Sequence, residues 1–201
     1  MLAHYLIVGY HRDVGQPRCA FKIDIRKAYD TVSWDYILCL LHEFGFHPVL
    51  SKWISEMLHT SSFSLAINGG STGFFKGARG IRQGDPISPY LFTLVMEGFN
   101  LILNQCIRDA GNYHYHTNCH DLKITHLCFA DDLFVFTRGD MQSVEVLRRA
   151  LDIFQTRSGL AASLDKSEVF FGNVPPDLRS HIMQLLPYKA GTFPIRYLCN
   201  N

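Results

Sequence analysis

Apolar and polar positions alternate over residues 20–25, where Phe21, Ile23 and Ile25 interleave with Lys22 and Asp24. This is the period-two signature of a half-buried strand, and Asp24 lies on its polar face. The period then lengthens. Ser33 can cap a helix whose apolar residues recur at Trp34, Ile37, Leu38, Leu41 and Phe44, with Gly45 to close it. A second helix starts at Pro48 and repeats the spacing at Leu50, Trp53, Ile54, Met57 and Leu58. Residues 63–67 and 71–75 flank Asn68-Gly69-Gly70, a strong hairpin signal. A Gly- and Arg-rich loop over 77–86 leads to Ser88-Pro89, where a helix is expected to run to about Ala110. Its apolar residues fall on most faces, which predicts a buried helix.

Residues 124–129 and 133–137 are near-continuous apolar runs, expected to be the arms of a hairpin and central strands covered on both faces. Residues 140–158 are amphipathic through Val144, Leu147, Leu151 and Phe154. A short strand over 167–171, a helix over 176–186 and a strand over 195–198 complete the pattern. Strands interleaved with helix pairs predict an α+β fold in which helices pack on a mostly antiparallel sheet.

Composition narrows this picture only slightly. A chain of 201 residues with 47% apolar content has the size and hydrophobicity of one folded domain, and the net charge of +1 announces no general polyanion binder. No uninterrupted apolar run approaches the ~18 residues of a membrane span, so no membrane partner is expected. The N-terminus lacks the features of a signal peptide. Six cysteines without a CxxC pair favour reduced, mostly buried thiols in an intracellular protein.

The chemistry concentrates in HLCFADDLFVF, residues 126–136, where Asp131 and Asp132 sit between two apolar runs. Two adjacent carboxylates cannot both ionise cheaply in a core, so protonation, a basic side chain or a divalent cation must neutralise them. Taken alone, the pair also suits a turn. Asp24 supplies a third carboxylate 107 positions before Asp131 (131 − 24), which only the fold can bring near.

Five blocks in order then carry a resemblance. FKIDIRKAYDTVSW, IRQGDPISPYLF, FADD, SGLAASLDKS and FPIRYL, spanning most of residues 18–198, resemble the motifs of reverse transcriptases. Their wording is most similar to LINE-type (non-LTR) retrotransposon polymerases, particularly those common in plant genomes. The resemblance implies a right-hand polymerase palm working on an RNA template and a DNA primer with dNTP. It also implies two Mg²⁺ ions, with Mn²⁺ as a substitute, held by Asp24 and Asp131 and more loosely by Asp132. Tyr29 stands at the position of the aromatic gate that excludes a 2′-hydroxyl. Gln83 and Gly84 fall where the family lines the nucleotide and template site. Arg82 either shares that role or braces its loop against a carboxylate. Lys166 matches the lysine that serves the leaving pyrophosphate as general acid. Lys22 shares the face of Asp24 and suits either the carboxylates or the phosphates. Tyr197 and Leu198 resemble the primer grip.

Ser163 and Cys199 depart from the family's usual Asn and Gly, and a Cβ at 199 costs roughly 1–2 kcal/mol where a left-handed glycine is wanted. Both ends break off within an element, so residues 1–201 are expected to be a single partial reverse transcriptase domain, a palm with incomplete fingers and thumb. For the parent element, cytoplasm and nucleus are the expected locations. The alternative to a working polymerase is an inactive retroelement fragment that at most binds nucleic acid. The histidines and cysteines of residues 114–128 lack the paired spacing of a zinc site and read as a polar loop. Arg148, Arg149 and Arg157 read as a solvated helix face.

Overall fold

The computed structural model describes residues 6–7, 10, 15–129 and 131–193. It divides into two compact units: one formed by residues 1–26, 100–153 and 161–201, the other by 27–99 and 154–160.

The first unit is built on a sheet of five strands: β1 (Arg18–Asp24), β4 (His126–Phe129), β5 (Asp132–Arg138), β6 (Glu168–Gly172) and β7 (Lys189–Ala190), in the order β4-β5-β1-β6-β7. Every pairing is antiparallel except β6–β7, which is parallel. β1 is hydrogen-bonded along both edges, and Cys19, Ala20, Phe21 and Ile23 have no exposed surface. β5 is equally central, with Leu133, Phe134, Val135 and Phe136 fully buried. The other arm of that hairpin differs from the sequence expectation. β4 is an edge strand of four residues, and Phe129 is 55% exposed. Apolar composition alone suggests two central arms, but among the described strands β4 has only one neighbour. The predicted strand over 195–198 lies outside the described residues.

The second unit contains a helical turn α1 (Ala28–Thr31), helices α2 (Trp34–Glu43) and α3 (Pro48–His59), and a separate hairpin of β2 (Ser62–Ile67) and β3 (Gly70–Lys76). Ser33 caps α2 by accepting a bond from the Tyr36 amide, and Pro48 opens α3, as the sequence predicts. Asn68 and Gly69 both take positive φ, the backbone a two-residue hairpin turn with right-handed twist demands. α3 buries Ile54 and Leu58 only, while Trp53 stays 66% exposed, so its buried stripe is narrower than the apolar spacing suggests.

Two long helices run through both units: α4 (Ser88–Ala110) and α5 (Met141–Ser158). α4 is long and apolar enough to cross a membrane by length and composition, but half of its most apolar window is buried in the protein, as in a core helix. The expectation of burial on most faces is not met. Leu91, Phe92, Val95, Phe99, Ile102, Leu103 and Cys106 are buried, while Tyr90 and Leu101 on the other side are exposed. Within the second unit Phe99 and Tyr36 both pack edge-on against Phe154, at 5.3 and 6.2 Å. α6 (Pro176–Leu185) belongs to the first unit.

The histidine-rich segment folds as a polar connection. His116 caps a short 3-10 turn over Thr117–Cys119, accepting from the Asn118 amide, and its ring stacks on Tyr10 at 5.7 Å. It has no exposed surface, and among the described residues its Nε2 has no hydrogen-bond partner. Burial pushes its pKa down to about 4. The unfolded chain therefore binds this proton more readily than the folded one, and stability should fall as pH drops from about 6.5 towards about 4. His116→Phe should flatten that part of a pH–Tm profile, removing up to ~3 kcal/mol of pH-dependent stability.

Candidate active site

The candidate residues divide between the two units. In the first, the carboxylates gather where the central strands end. The β1–β5 ladder pairs Ile23 with Leu133 and Asp24 with Asp132. The backbone of Asp24 faces away from β5. Its amide donates to Ser167 Oγ at 3.2 Å, and its carbonyl accepts from the Ser163 amide at 2.8 Å. Asp24 and Asp132 are therefore a non-hydrogen-bonded antiparallel pair, the arrangement in which opposite side chains approach most closely. Asp131 occupies the exposed turn beside them, and its carbonyl accepts a long bond from the Ile25 amide, 3.4 Å. The ladder thus sets Asp132, rather than Asp131, directly across from Asp24.

Electrostatics at this edge are unfavourable in isolation. Asp24 is 24% exposed, and burial first, then the charges of Asp131 and Asp132, raise its pKa against the opposing pull of Lys166 and Lys22. Lys166 Nζ is 4.0 Å from Asp24 Oδ1 but 72% exposed, so the pair is loose and solvent-screened. Among the described residues, no group of three or more His, Cys, Asp or Glu side chains is placed to hold a metal ion. Two facing carboxylates nevertheless suit Mg²⁺, which takes one or two such ligands and completes its shell with water and substrate phosphate.

The turn that carries Lys166 is anchored by backbone. Ser163 accepts from the amides of Lys166 and Ser167 at 3.3 and 2.9 Å, and Arg26 donates to the carbonyl of Ala161. Ser163 holds Asp24 through its own amide, so its departure from the family's asparagine leaves that contact intact. The sequence pattern places Ser167 first in the strand over 167–171 and marks no contact to Asp24. Its position next to Lys166 is the signal that could single it out.

The second unit holds the other candidates. Tyr29 stacks on Phe92 with centroids 5.0 Å apart and planes at 17°. The loop over 77–87 is fastened to the segment that follows α1. Gly80 N–H donates to Val32, Ile81 N–H to Tyr29, and Trp34 Nε1 to the Gly80 carbonyl at 2.6 Å. Arg82, Gln83 and Gly84 project exposed from this loop. Arg82 lies over the Phe63 ring at 5.7 Å and, among the described residues, forms no ion pair. Asp85 starts α4 by accepting from the Ile87 amide through its side chain and from Ser88 through its carbonyl. A cleft of about 720 Å³ opens against the loop, lined in part by Asp30, Trp34, Phe63, Arg79, Arg82 and Gln83. Arg148, on the α5 exterior, is held by Glu145 and Asp152, which fits a solvated face.

A mostly antiparallel sheet whose two central strands bring carboxylates face to face at one end has the form of a polymerase palm. The solved structures agree. The chain is similar to apo telomerase from Candida tropicalis, truncated of its C-terminal domain, with a TM-score of 0.62 at 11% identity over 87% of this chain and 35% of that one. It is also similar to Candida albicans telomerase in complex with a fragment of telomeric RNA, with a TM-score of 0.58 at 13% identity over 84% of this chain and 29% of that one. Residues 3–199 match the family described as reverse transcriptase (RNA-dependent DNA polymerase), and the chain belongs to it. It is 31% identical over 157 residues to the Pol polyprotein of a type-1 R2 retrotransposable element from Popillia japonica. It is 33% identical over 175 residues to that of a type-2 R2DM element from Drosophila melanogaster. The matches cover 78% and 86% of this chain but only 25% and 16% of those polyproteins. The family and these relatives make it a reverse transcriptase domain of a LINE-type element.

Gly80 and Gly84 offer a contrast that can be measured. Both take positive φ, +86° and +87°, but a Cβ at Gly80 would lie 2.7 Å from the Asp30 carbonyl oxygen, whereas at Gly84 nothing lies within 4 Å. Gly84→Ala should cost only the left-handed backbone, roughly 1–2 kcal/mol. Gly80→Ala must also displace the backbone at 29–30 and should cost clearly more, lowering Tm by about 5 °C or beyond. Thermal melts of the two variants check the order.

Proposed function

We propose that this chain is the polymerase palm of its element, joining a dNTP to a primer 3′-hydroxyl on an RNA or DNA template. The observation that carries the reading is the placement of Asp24 directly opposite Asp132 at the end of two central strands, with Lys166 Nζ 4.0 Å from Asp24. Asp24, Asp132 and the adjacent Asp131 are the residues to hold Mg²⁺, in the two-ion arrangement of the family, with Mn²⁺ as a substitute. When bound, such ions stabilise negative charge on the attacking and leaving oxygens.

The chain's own residues do the rest. Asp24 and Asp132 present oxygen ligands from strands that cannot shift independently, which is catalysis by positioning. In the reaction, the primer oxygen forms a bond to the α-phosphorus while the bond to pyrophosphate breaks. Lys166, exposed in its weak pair, is the group to neutralise or protonate the departing pyrophosphate. Tyr29, kept flat by Phe92, is the surface against which a 2′-hydroxyl would clash. Gln83 and Gly84, with Arg82, are the candidates for lining the nucleotide and template site. Template and primer phosphates would be held mainly electrostatically, so affinity should weaken with salt.

Primer extension on a homopolymer template with Mg²⁺ tests the reading. Incorporation that is lost in both Asp24→Asn and Asp131→Asn supports it. A soluble, folded protein that incorporates nothing sinks it and leaves a fragment that at most binds nucleic acid. Because Asp24 is held at a raised pKa by burial and by like charges, removing its charge should not harm the apo fold. Asp24→Asn is expected to keep or raise Tm in EDTA, by about 1–4 °C, the size of up to ~1 kcal/mol of cross-strand repulsion. Tyr29→Ala should admit ribonucleotides, and unchanged sugar selectivity in a single-nucleotide competition would remove the gate assignment.

A further inference from the structure

The β1–β6 ladder stops at the pair Lys22–Glu168, two residues short of Asp24. Beyond that point the β6 side of β1 is held only by the isolated bridge between Ile25 and Ala162 and by the Ser163 amide on the Asp24 carbonyl, so among the described residues no strand supplies a backbone acceptor for the Asp24 amide. Ser167 fills the gap with a side chain. Its Oγ accepts the Asp24 amide at 3.2 Å, and the residue has no exposed surface. The backbone that carries the hydroxyl is held on both sides, because the Ser167 amide donates to Ser163 at 2.9 Å and its carbonyl accepts from Lys189 of β7 at 3.2 Å. A buried amide without an acceptor is costly, so the chain has strong reason to keep this oxygen in place. β7, Ser167 and Asp24 therefore form one chain of hydrogen bonds across the end of the sheet, running beneath the turn that carries Lys166.

We propose that Ser167 is a positioning residue for the Asp24 carboxylate, its hydroxyl completing the β1 edge where the β6 ladder has run out. The inference rests on the reading of Asp24 as a polymerase carboxylate. It differs from ordinary buried hydrogen bonding in what it predicts: loss of Oγ should move the carboxylate rather than merely loosen the fold. Partners that orient a metal ligand commonly matter about 10- to 100-fold in affinity or activity. A displaced ligand lowers the rate of chemistry without weakening ground-state nucleotide binding.

The test compares Ser167→Ala, Ser167→Cys and Ser167→Thr in the full chain. Steady-state dNTP incorporation is measured well below each Tm. Mn²⁺ binding to the protein with primer-template is followed by electron paramagnetic resonance. Alanine and the near-isosteric but weakly accepting cysteine should lose about 10- to 100-fold in kcat, with KM for dNTP within about two-fold, and should bind Mn²⁺ more weakly. Threonine, which retains the oxygen, should recover most of both. If Ser167→Ala and Ser167→Cys match the wild type in kcat and Mn²⁺ affinity, with any change confined to Tm, Ser167 is purely structural and the proposal is overturned. A wild-type protein that neither incorporates nucleotide nor binds Mn²⁺ overturns the polymerase reading itself, and the role of Ser167 falls with it.

Discussion

The first unit depends on the sandwiching of β1. This strand is paired on both edges and buried along most of its length, so its register fixes everything attached to its end. A one-residue slip would turn Phe21 and Ile23 outward and bring Lys22 and Asp24 into the core, a cost of several buried side chains at once. The position of Asp24 is thus set by hydrophobic burial some distance from the chemistry. β5 carries the same constraint from the other side, because four consecutive fully buried residues follow Asp132. Two strands that cannot slide relative to one another present two carboxylates that cannot avoid one another.

That arrangement is unfavourable for the fold by itself. Like charges directly opposite in a ladder destabilise it, and burial adds to the penalty on Asp24. The two nearby lysines relieve it only in part, since Lys166 is mostly in solvent. A sheet selected for stability alone would place a neutral or opposite-charge pair at Asp24 and Asp132. Strain of this kind at the end of an otherwise well-satisfied sheet is what the proposed cation site would relieve. The backbone there shows no corresponding looseness, since every polar group of the Asp24 peptide has a partner.

Much of this was legible in the sequence, and the gaps have physical causes. Local signals worked where the structure is local. Ser33 caps its helix, Asn68-Gly69 turns its hairpin, and the 3.6-residue period of α5 marks a real element. What failed depends on contacts distant along the chain. β4 and β5 have equally apolar composition, but only strand order makes one an edge and the other central. The apolar spacing of α3 exceeds what its neighbours bury, leaving Trp53 in solvent. β7 has two residues and no periodicity at all, and α1 is one turn, so neither leaves a readable pattern. Which of the two adjacent aspartates stands across from Asp24 in the ladder is a matter of register, which a pair of identical residues cannot reveal. Ser167 looked like the start of a strand because its partner, the Asp24 amide, lies 143 positions away.

The two glycines of the second-unit loop show how a motif can hide different requirements under one letter. Gly80 is needed because the backbone of residues 29–30 lies against it, and its amide and carbonyl are both spent on Val32 and Trp34. It welds the loop to the segment that carries Tyr29. Gly84 has the same backbone conformation, and an added Cβ there would meet nothing within 4 Å among the described residues. Its neighbours Arg82 and Gln83 are exposed. Close packing explains the first glycine completely. It does not explain the second, whose bare backbone leaves open space beside two exposed donor side chains. The loop is thus packed at one end and open at the other. That asymmetry, rather than the count of glycines, is why the proposal gives nucleotide and template the 82–84 end of the loop and leaves the Gly80 end to structure.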